Sequence, residues 1–353
     1  MAFPARRVIV LCLSFLVSPL ACGPHRYSSQ STAEVGAETT AAFLTADTLM
    51  PPTAGEIPQL PRYAVQPTEW YAYWMTRIDT VRQDTLEQTS FVRQYYLKTI
   101  RSLHPDGRIE CTLRIDSLQA RFAASGSSGV LERFSYDSRD SSDRANPNYA
   151  HLTALLGTEV RMLVTRDGQI DSIFGLEALL RRIRQLSPDT LPESLDELMK
   201  QRLEEQMYRP LQQEYLAFPP EPLDSTWSWR HEYPDMLASA FPMRNVAEYR
   251  ILGVRPAGDR KLVEIQATLR SRPLQRRLRQ GDMEATLRDE ALSGSGLILI
   301  DAQQGYTVAK DIQLQTRFEV LLRDTVQKHS ERFRQEARTR VQFQLVRRGW
   351  SKK

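Results

Sequence analysis

The chain has 353 residues, with 47 Lys and Arg against 43 Asp and Glu, a formal net charge of +4 and 41% hydrophobic residues. That length supports a core of ordinary size, and interspersed charges with so small an excess give no basic field for nucleic acid. The 3 cysteines are too few for a disulfide framework.

In chain order, residues 1–21 read as an export signal. Arg6 and Arg7 give a basic start, Val8 to Val17 is an apolar run, and small residues lead to Ala21-Cys22-Gly23. This is the n-region, h-region and cleavage-site pattern of a secretory signal. The apolar run is far shorter than the roughly 20 residues a spanning helix needs. Cys22 directly after Ala21 matches a bacterial lipoprotein start, in which the Cys sulfur is acylated and becomes the new N-terminus. Leu20 stands two places before Cys22 and Pro19 three, where the usual pattern has Leu three before. Ordinary secretion and a retained anchor are the alternatives. With Cys12 in the signal and Cys22 acylated, Cys111 is left alone, and its neighbours Ile109, Leu113 and Ile115 make it a core thiol.

Residues 22–61 are rich in Ser, Thr, Ala, Pro and Gly. They bury too little apolar surface to offset ordering entropy and are expected to tether a folded body. From Glu69, Trp70, Ala72, Trp74 and Ile78 alternate, the period of a strand. Ser90 to Leu103 is strand-like. Pro105-Asp106-Gly107 turns it into the alternating Ile109, Cys111, Leu113 and Ile115, with a shift of parity before Leu118. Leu131 to Tyr136 is a further strand and Asp137 to Asn148 a polar loop. Glu159 to Thr165 and Gln169 to Phe174 flank Asp167-Gly168, a strong hairpin signal. Leu176 to Ile183 and Leu195 to Tyr215 have helical spacing, with carboxylates 193–205 on the solvated face. Three prolines in Phe218 to Pro222 forbid continued helix. Strands are then expected at Thr226–Tyr233, Val246–Val254, Lys261–Leu269, Glu284–Leu292, Leu297–Asp301, Tyr306–Leu322 and Thr339–Val346, with Gly294-Ser295-Gly296 as a turn.

Chemical motifs are sparse. The five histidines are not spaced as metal ligands, and no nucleophile elbow, P-loop or dinucleotide fingerprint is present. Asp137, Asp140 and Asp143 lack the Gly and terminal Glu of a Ca²⁺ loop. No cofactor or metal is expected. The aromatic run Trp70, Tyr71, Tyr73, Trp74, Tyr95 and Tyr96 falls on adjacent strands. Alternation sends Trp70 and Trp74 to one face, and Tyr71 and Tyr73 to the other. These six are the candidate ligand-binding residues: either cross-strand packing or the lining of an apolar or glycan-stacking groove.

Several segments resemble an uncharacterised family of Gram-negative lipoproteins, the domain of unknown function 6263 family. They are D-G-x-I-x-C-x-L-x-I-D-S-L at Asp106 to Leu118, Y-D-S at Tyr136 to Ser138, L-L-G-T-E-V-x-M-x-V-T-x-D-G-x-I at Leu155 to Ile170, F-G-L-E at Phe174 to Glu177, W-S-W at Trp227 to Trp229, and L-I-D-x-x-x-G at Leu299 to Gly305. The resemblance covers roughly Tyr63 to Leu322 and carries no catalytic motif. The layout is also similar to periplasmic lipid-binding half-barrels of the LolA kind, an analogy of architecture.

The expectation is therefore an α+β, strand-dominated fold. Two similar antiparallel β-units, 62–218 and 219–353, form a curved sheet or half-barrel with a central helical pair. The two halves read as a distant internal repeat. The protein is expected to be an outer-membrane lipoprotein facing the periplasm, non-catalytic, with an apolar or amphipathic ligand. A periplasmic or secreted soluble form is the alternative location, and an interaction module docking an envelope protein the alternative role. A hydrolase would need His151 or His231 to converge with carboxylates. Buried acyl methylenes contribute about 0.8 kcal/mol each to membrane binding. Cys22→Ala is therefore expected to make the protein extractable from membranes by a carbonate wash, and its retention after that wash would exclude the acyl anchor.

Overall fold

The computed structural model describes residues 63–187, 196–219, 223, 226–238, 240–258 and 260–351. The expected signal, Cys22 and the expected tether lie outside them. The strands in chain order are β1 (Glu69–Gln83), β2 (Leu86–Leu103), β3 (Ile109–Gly126), β4 (Gly129–Asp137), β5 (Glu159–Val164), β6 (Ile170–Phe174), β7 (Ser228–Leu237), β8 (Phe241–Ala257), β9 (Arg260–Pro273), β10 (Arg277–Gln280), β11 (Met283–Asp301), β12 (Thr307–Asp324) and β13 (Ser330–Trp350). The helices are α1 (Ser141–Ala145), α2 (Ala150–Leu155), α3 (Leu176–Leu186) and α4 (Asp196–Gln212).

All the strands belong to one 13-stranded antiparallel sheet, ordered β6-β5-β3-β2-β1-β13-β12-β11-β9-β8-β7, with β4 on β3 and β10 on β11. The two expected β-units are the two halves of this sheet. They meet where the first strand pairs with the last, from Glu69 opposite Trp350 to Gln83 opposite Gln335. Alternation sets the faces. Tyr71, Tyr73 and Met75 of β1 and Tyr96 of β2 are buried on the inner face, while Trp70, Trp74 and Tyr95 are half-buried on the outer. A bulge between Ala72 and Tyr73 reverses the parity of the last β13 residues. Trp70 then lies flat over Gly349, where an added Cβ would come within 2.7 Å of its indole.

The inner face is packed at one end by α2, α3, the C-terminal part of α4 and the chain that follows it. Only the last turns of α4 are buried, through Met207 and Leu211, whereas Leu198 is exposed. The expected polar loop 137–148 contains α1. Asp140 caps it by accepting from Ser142 N at 2.8 Å, and Asp143 accepts from Asp137 N. Asp137 accepts from Arg139 N at 2.9 Å, so all three carboxylates of the loop serve backbone donors locally.

The expected turn at Gly294-Ser295-Gly296 is instead the middle of β11. Two expected strands are one strand, and the glycines are there for closeness. A Cβ on Gly296 would meet Asp311 O at 2.3 Å and Ile312 Cδ1 at 2.4 Å, and one on Gly294 would meet Leu314 Cδ2 at 2.5 Å. Ile312 and Leu314 lie down over the two glycines, which have no side chain to resist them. Gly296→Val is expected to destabilise the fold by about 1–3 kcal/mol through overpacking, read as a lowered urea midpoint; an unchanged midpoint would refute this close approach.

Candidate functional site

Residues 212–218, the last residue of α4 and the chain that follows it, cross the inner face and touch both edges of the sheet. Gln212 holds the β5–β6 turn, donating from Nε2 to Gly168 O at 2.7 Å and accepting from Ile170 N at 2.8 Å. Phe218 N donates to Asp167 O in the same turn. On the opposite edge, Trp229 Nε1 of β7 donates to Ala217 O at 2.7 Å. β6 and β7 stand at the two ends of an eleven-strand path, about 48 Å apart if the sheet were flat. Two consecutive residues nonetheless bond groups on both edges, so the sheet is curled around this segment.

The centre of the segment is polar. Glu214 is buried and pairs with buried Lys98 of β2. Its other carboxylate oxygen accepts from Tyr96 OH at 2.6 Å. Its carbonyl accepts from Thr307 Oγ1 at 2.8 Å, and Lys310 Nζ of β12 donates to Tyr215 O at 3.1 Å. The Lys98 ammonium lies 4.7 Å from the Tyr215 ring, 5.3 Å from Tyr73 and 5.6 Å from Tyr71, which stabilises a desolvated cation. Tyr63 OH accepts from Leu216 N at 2.7 Å, and its ring packs edge-on against Tyr215 and Phe218. Burial moves the titrating groups: Lys310 is pushed down to about 8, the Cys111 thiol up to about 11, and the Tyr73 and Tyr96 hydroxyls well above their usual range. Both carboxylate oxygens of Glu214 already carry donors, so the cluster acts as a tie.

Beyond this plugged end the inner face changes character. One lateral row runs Ala247, Leu269, Gly294, Leu314, Thr339 and Asp79 across β8, β9, β11, β12, β13 and β1. The row below it runs Tyr249, Ala267, Gly296, Ile312, Val341 and Arg77. Tyr249, Leu269, Ile312, Leu314, Thr316 and Thr339 are half-buried. They lie between the plugged core and a second apolar cluster of Leu237, Phe241, Met243, Leu287, Phe318, Val320 and Phe333. Among the described residues this band forms a shallow, half-covered trough with an aliphatic floor. At the β7 edge Trp229 stacks on Tyr249 and His231 on Tyr233, with ring centroids 5.0 and 5.5 Å apart. On the other side Arg77 makes a bidentate pair with Asp79 at 2.7 and 2.9 Å, and Asp79 also accepts from Thr339 Oγ1 at 2.6 Å.

The six sequence candidates do not share a groove. Tyr71, Tyr73 and Tyr96 surround Lys98 and Glu214 in the plugged core. Trp74 and Tyr95 pair on the outer face at 5.2 Å, with the Arg93 guanidinium 4.4 Å above Trp74, and Trp70 covers Gly349. His231 lines the trough edge, while His151 Nε2 on α2 has no hydrogen-bond partner among the described residues. Burial lowers the pKa of both. Among the described residues no three His, Cys, Asp or Glu side chains are placed to hold a metal ion, and no helix is long and apolar enough to cross a membrane. Sequence reasoning missed Lys98, Glu214 and Lys310. The available signal was parity, because both lysines occupy inward positions of otherwise apolar alternation.

A family model described as a family of unknown function (DUF6263) matches residues 111–307. No curated protein matches the chain. Lipovitellin, solved for its lipid–protein interactions, is similar at 9% identity and a TM-score of 0.44, over 82% of this chain and 26% of its own. The chain thus spans about a quarter of lipovitellin's length. OccK7 of Pseudomonas aeruginosa is similar at 7% identity and a TM-score of 0.23, over 79% of this chain and 98% of its own. DynF of Micromonospora chersina is similar at 8% identity and a TM-score of 0.17, over 87% of this chain and 92% of its own.

Two outcomes are expected at the tie. Removing one partner of a buried ion pair leaves an uncompensated charge, so Glu214→Ala should cost about 3–5 kcal/mol, measured by urea unfolding; a loss below about 1 kcal/mol on that scale would show the pair to be dispensable. Lys310 titrates near 8 when folded and higher when unfolded, so between these values the unfolded state binds the extra proton and stability rises with pH. The urea midpoint of the parent should therefore rise relative to that of Lys310→Met from pH 7 to pH 9. A difference constant over that range would contradict the depressed ammonium.

Proposed function

The chain belongs to the family of unknown function DUF6263, and we propose that it is a lipid-anchored envelope protein holding an apolar or amphipathic ligand in the half-covered trough of its inner face. The observation that carries this reading is the band of half-buried aliphatic residues, Leu269, Ile312 and Leu314 among them, left between two packed clusters. An inward-facing apolar surface is ordinarily covered by another layer. Among the described residues, the helices and the post-α4 segment cover one end only. The glycines beneath Ile312 and Leu314 keep the floor low, and the aromatic edge with the Arg77–Asp79 pair gives polar groups at both sides. A few placed polar groups around an apolar surface is the usual make-up of a small-molecule site.

The role is binding without catalysis. Gly23 after Cys22 lacks the Asp that retains lipoproteins at the inner membrane of enteric bacteria. This supports an outer-membrane position facing the periplasm, with the bilayer and the ligand as partners and no nucleic acid. Protein extracted from membranes in mild detergent is expected to carry a bound amphiphile in native mass spectrometry and in solvent extracts. Leu314→Asp, which places a charge in the trough floor, is expected to reduce that occupancy at least tenfold while unfolding stays cooperative. Parent protein free of any extractable amphiphile, or equal occupancy in the variant, would overturn the reading.

A further inference from the structure

At the end of the sheet opposite the plug lie the β7–β8, β9–β10, β10–β11 and β12–β13 connections, and each carries an exposed apolar residue. Met236 before the β7–β8 turn is 41% exposed, Leu274 between β9 and β10 54%, Met283 after the β10–β11 turn 44% and Val326 in the β12–β13 turn 68%. These tips are bonded into one rim. Leu274 N donates to Pro242 O at the start of β8, Leu287 N to Arg276 O, and Thr325 N to Asp282 O. The rim is therefore one surface built from four connections.

One part of this rim, around the β9–β10 connection, is basic, while Asp282 and Asp324 flank the Met283 and Val326 tips. Residues 270–280 read R-S-R-P-L-Q-R-R-L-R-Q, and all five arginines are exposed. Arg276 pairs with Glu290. Arg270, Arg272, Arg277 and Arg279 make no ion pair with a carboxylate among the described residues. Leu274 thus projects from a turn flanked by guanidinium groups. Separate aliphatic tips beside one arginine-rich connection do not form the continuous flat patch of a protein interface core. They fit a fluid surface with an apolar interior and anionic headgroups, in which tips sink past the phosphates and arginines bond them.

We infer that this rim docks on an anionic phospholipid bilayer, with Leu274 and Val326 inserted and Arg272 and Arg277 on headgroup phosphates. The inference does not depend on the trough being occupied. It is compatible with an anchor at Cys22. The roughly 40 residues before Tyr63 extend to at most ~140 Å, against roughly 70 Å for the length of β13.

The test uses the full chain with Cys22→Ala, so that no acyl chain contributes, and vesicles of phosphatidylglycerol and phosphatidylethanolamine or of phosphatidylcholine alone. Sedimentation with the anionic vesicles is expected, weakened by salt and at least tenfold weaker with phosphatidylcholine. Leu274→Asp with Val326→Asp should reduce binding at least tenfold, and Arg272→Gln with Arg277→Gln should flatten the salt dependence. An environment-sensitive fluorophore on Val326→Cys should shift to the blue with anionic vesicles, and one on Trp350→Cys at the opposite end should not. Equal binding to both vesicle types, undiminished binding of the Asp variant, or no shift at residue 326 would overturn the inference. Absence of vesicle binding would instead leave an acidic protein as the rim's partner, and that too overturns it.

Discussion

Glu214 is the point on which this structure turns. A carboxylate in an apolar interior is costly unless it is paired and hydrogen-bonded, and here Lys98 and Tyr96 supply the partners. The bonds belong to β2, while the backbone on either side of Glu214 is held by β12, by the β5–β6 turn and by β7. One short segment therefore fixes the spacing of strands far apart in the sheet. Open sheets of this many strands tend to coil or split. The polar tie selects one coil, because the donors and acceptors match only when both edges reach the same few residues. Replacing a buried ion pair by apolar residues is often neutral for net stability, so the contribution of this one is the selection of a single coil.

The curl has a consequence for the rest of the inner face. The segment and the helices occupy the end nearest Tyr63, and past Ile251, Ile265 and Ile298 nothing crosses the concave side among the described residues. The sheet narrows instead through its own side chains, with Ile312 and Leu314 lying over Gly296 and Gly294. The far end closes on Phe318, Val320 and Phe333. The trough is thus the remainder of an incompletely filled interior, and the polar tie keeps the helical end from spreading into it.

Much of this was legible in the sequence. Alternation located β1, β3 and β12, and Asp167-Gly168 located the β5–β6 hairpin. The glycine there has a second reason that no turn rule contains: a Cβ would meet Leu216 O at 2.3 Å. The break expected at Gly294 to Gly296 followed from reading glycine as punctuation, when the cause was close approach from β12. The first half of β13, from Ser330, went unrecognised because arginines and glutamates fill its outer face, leaving Phe333, Gln335 and Ala337 as a weak inward pattern. The site was the least legible part. Glu214 lies 116 residues from Lys98 and 93 from Thr307, and its segment has no period to mark it. The aromatic run was conspicuous, yet Tyr71, Tyr73 and Tyr96 serve the tie, while Tyr95 and the tryptophans belong to the outer face.

The central claim is that residues 212–218 hold the two sheet edges together. Its most direct test is the distance between spin labels on Asp171→Cys of β6 and Arg230→Cys of β7, measured by pulsed dipolar spectroscopy with Glu214 intact and with Glu214→Ala. A single narrow distance well below the ~48 Å of a flat sheet is expected with Glu214 intact, and a longer, broader distribution with Glu214→Ala. A parent distance near the flat-sheet value, or a distribution unchanged by Glu214→Ala, would contradict the account.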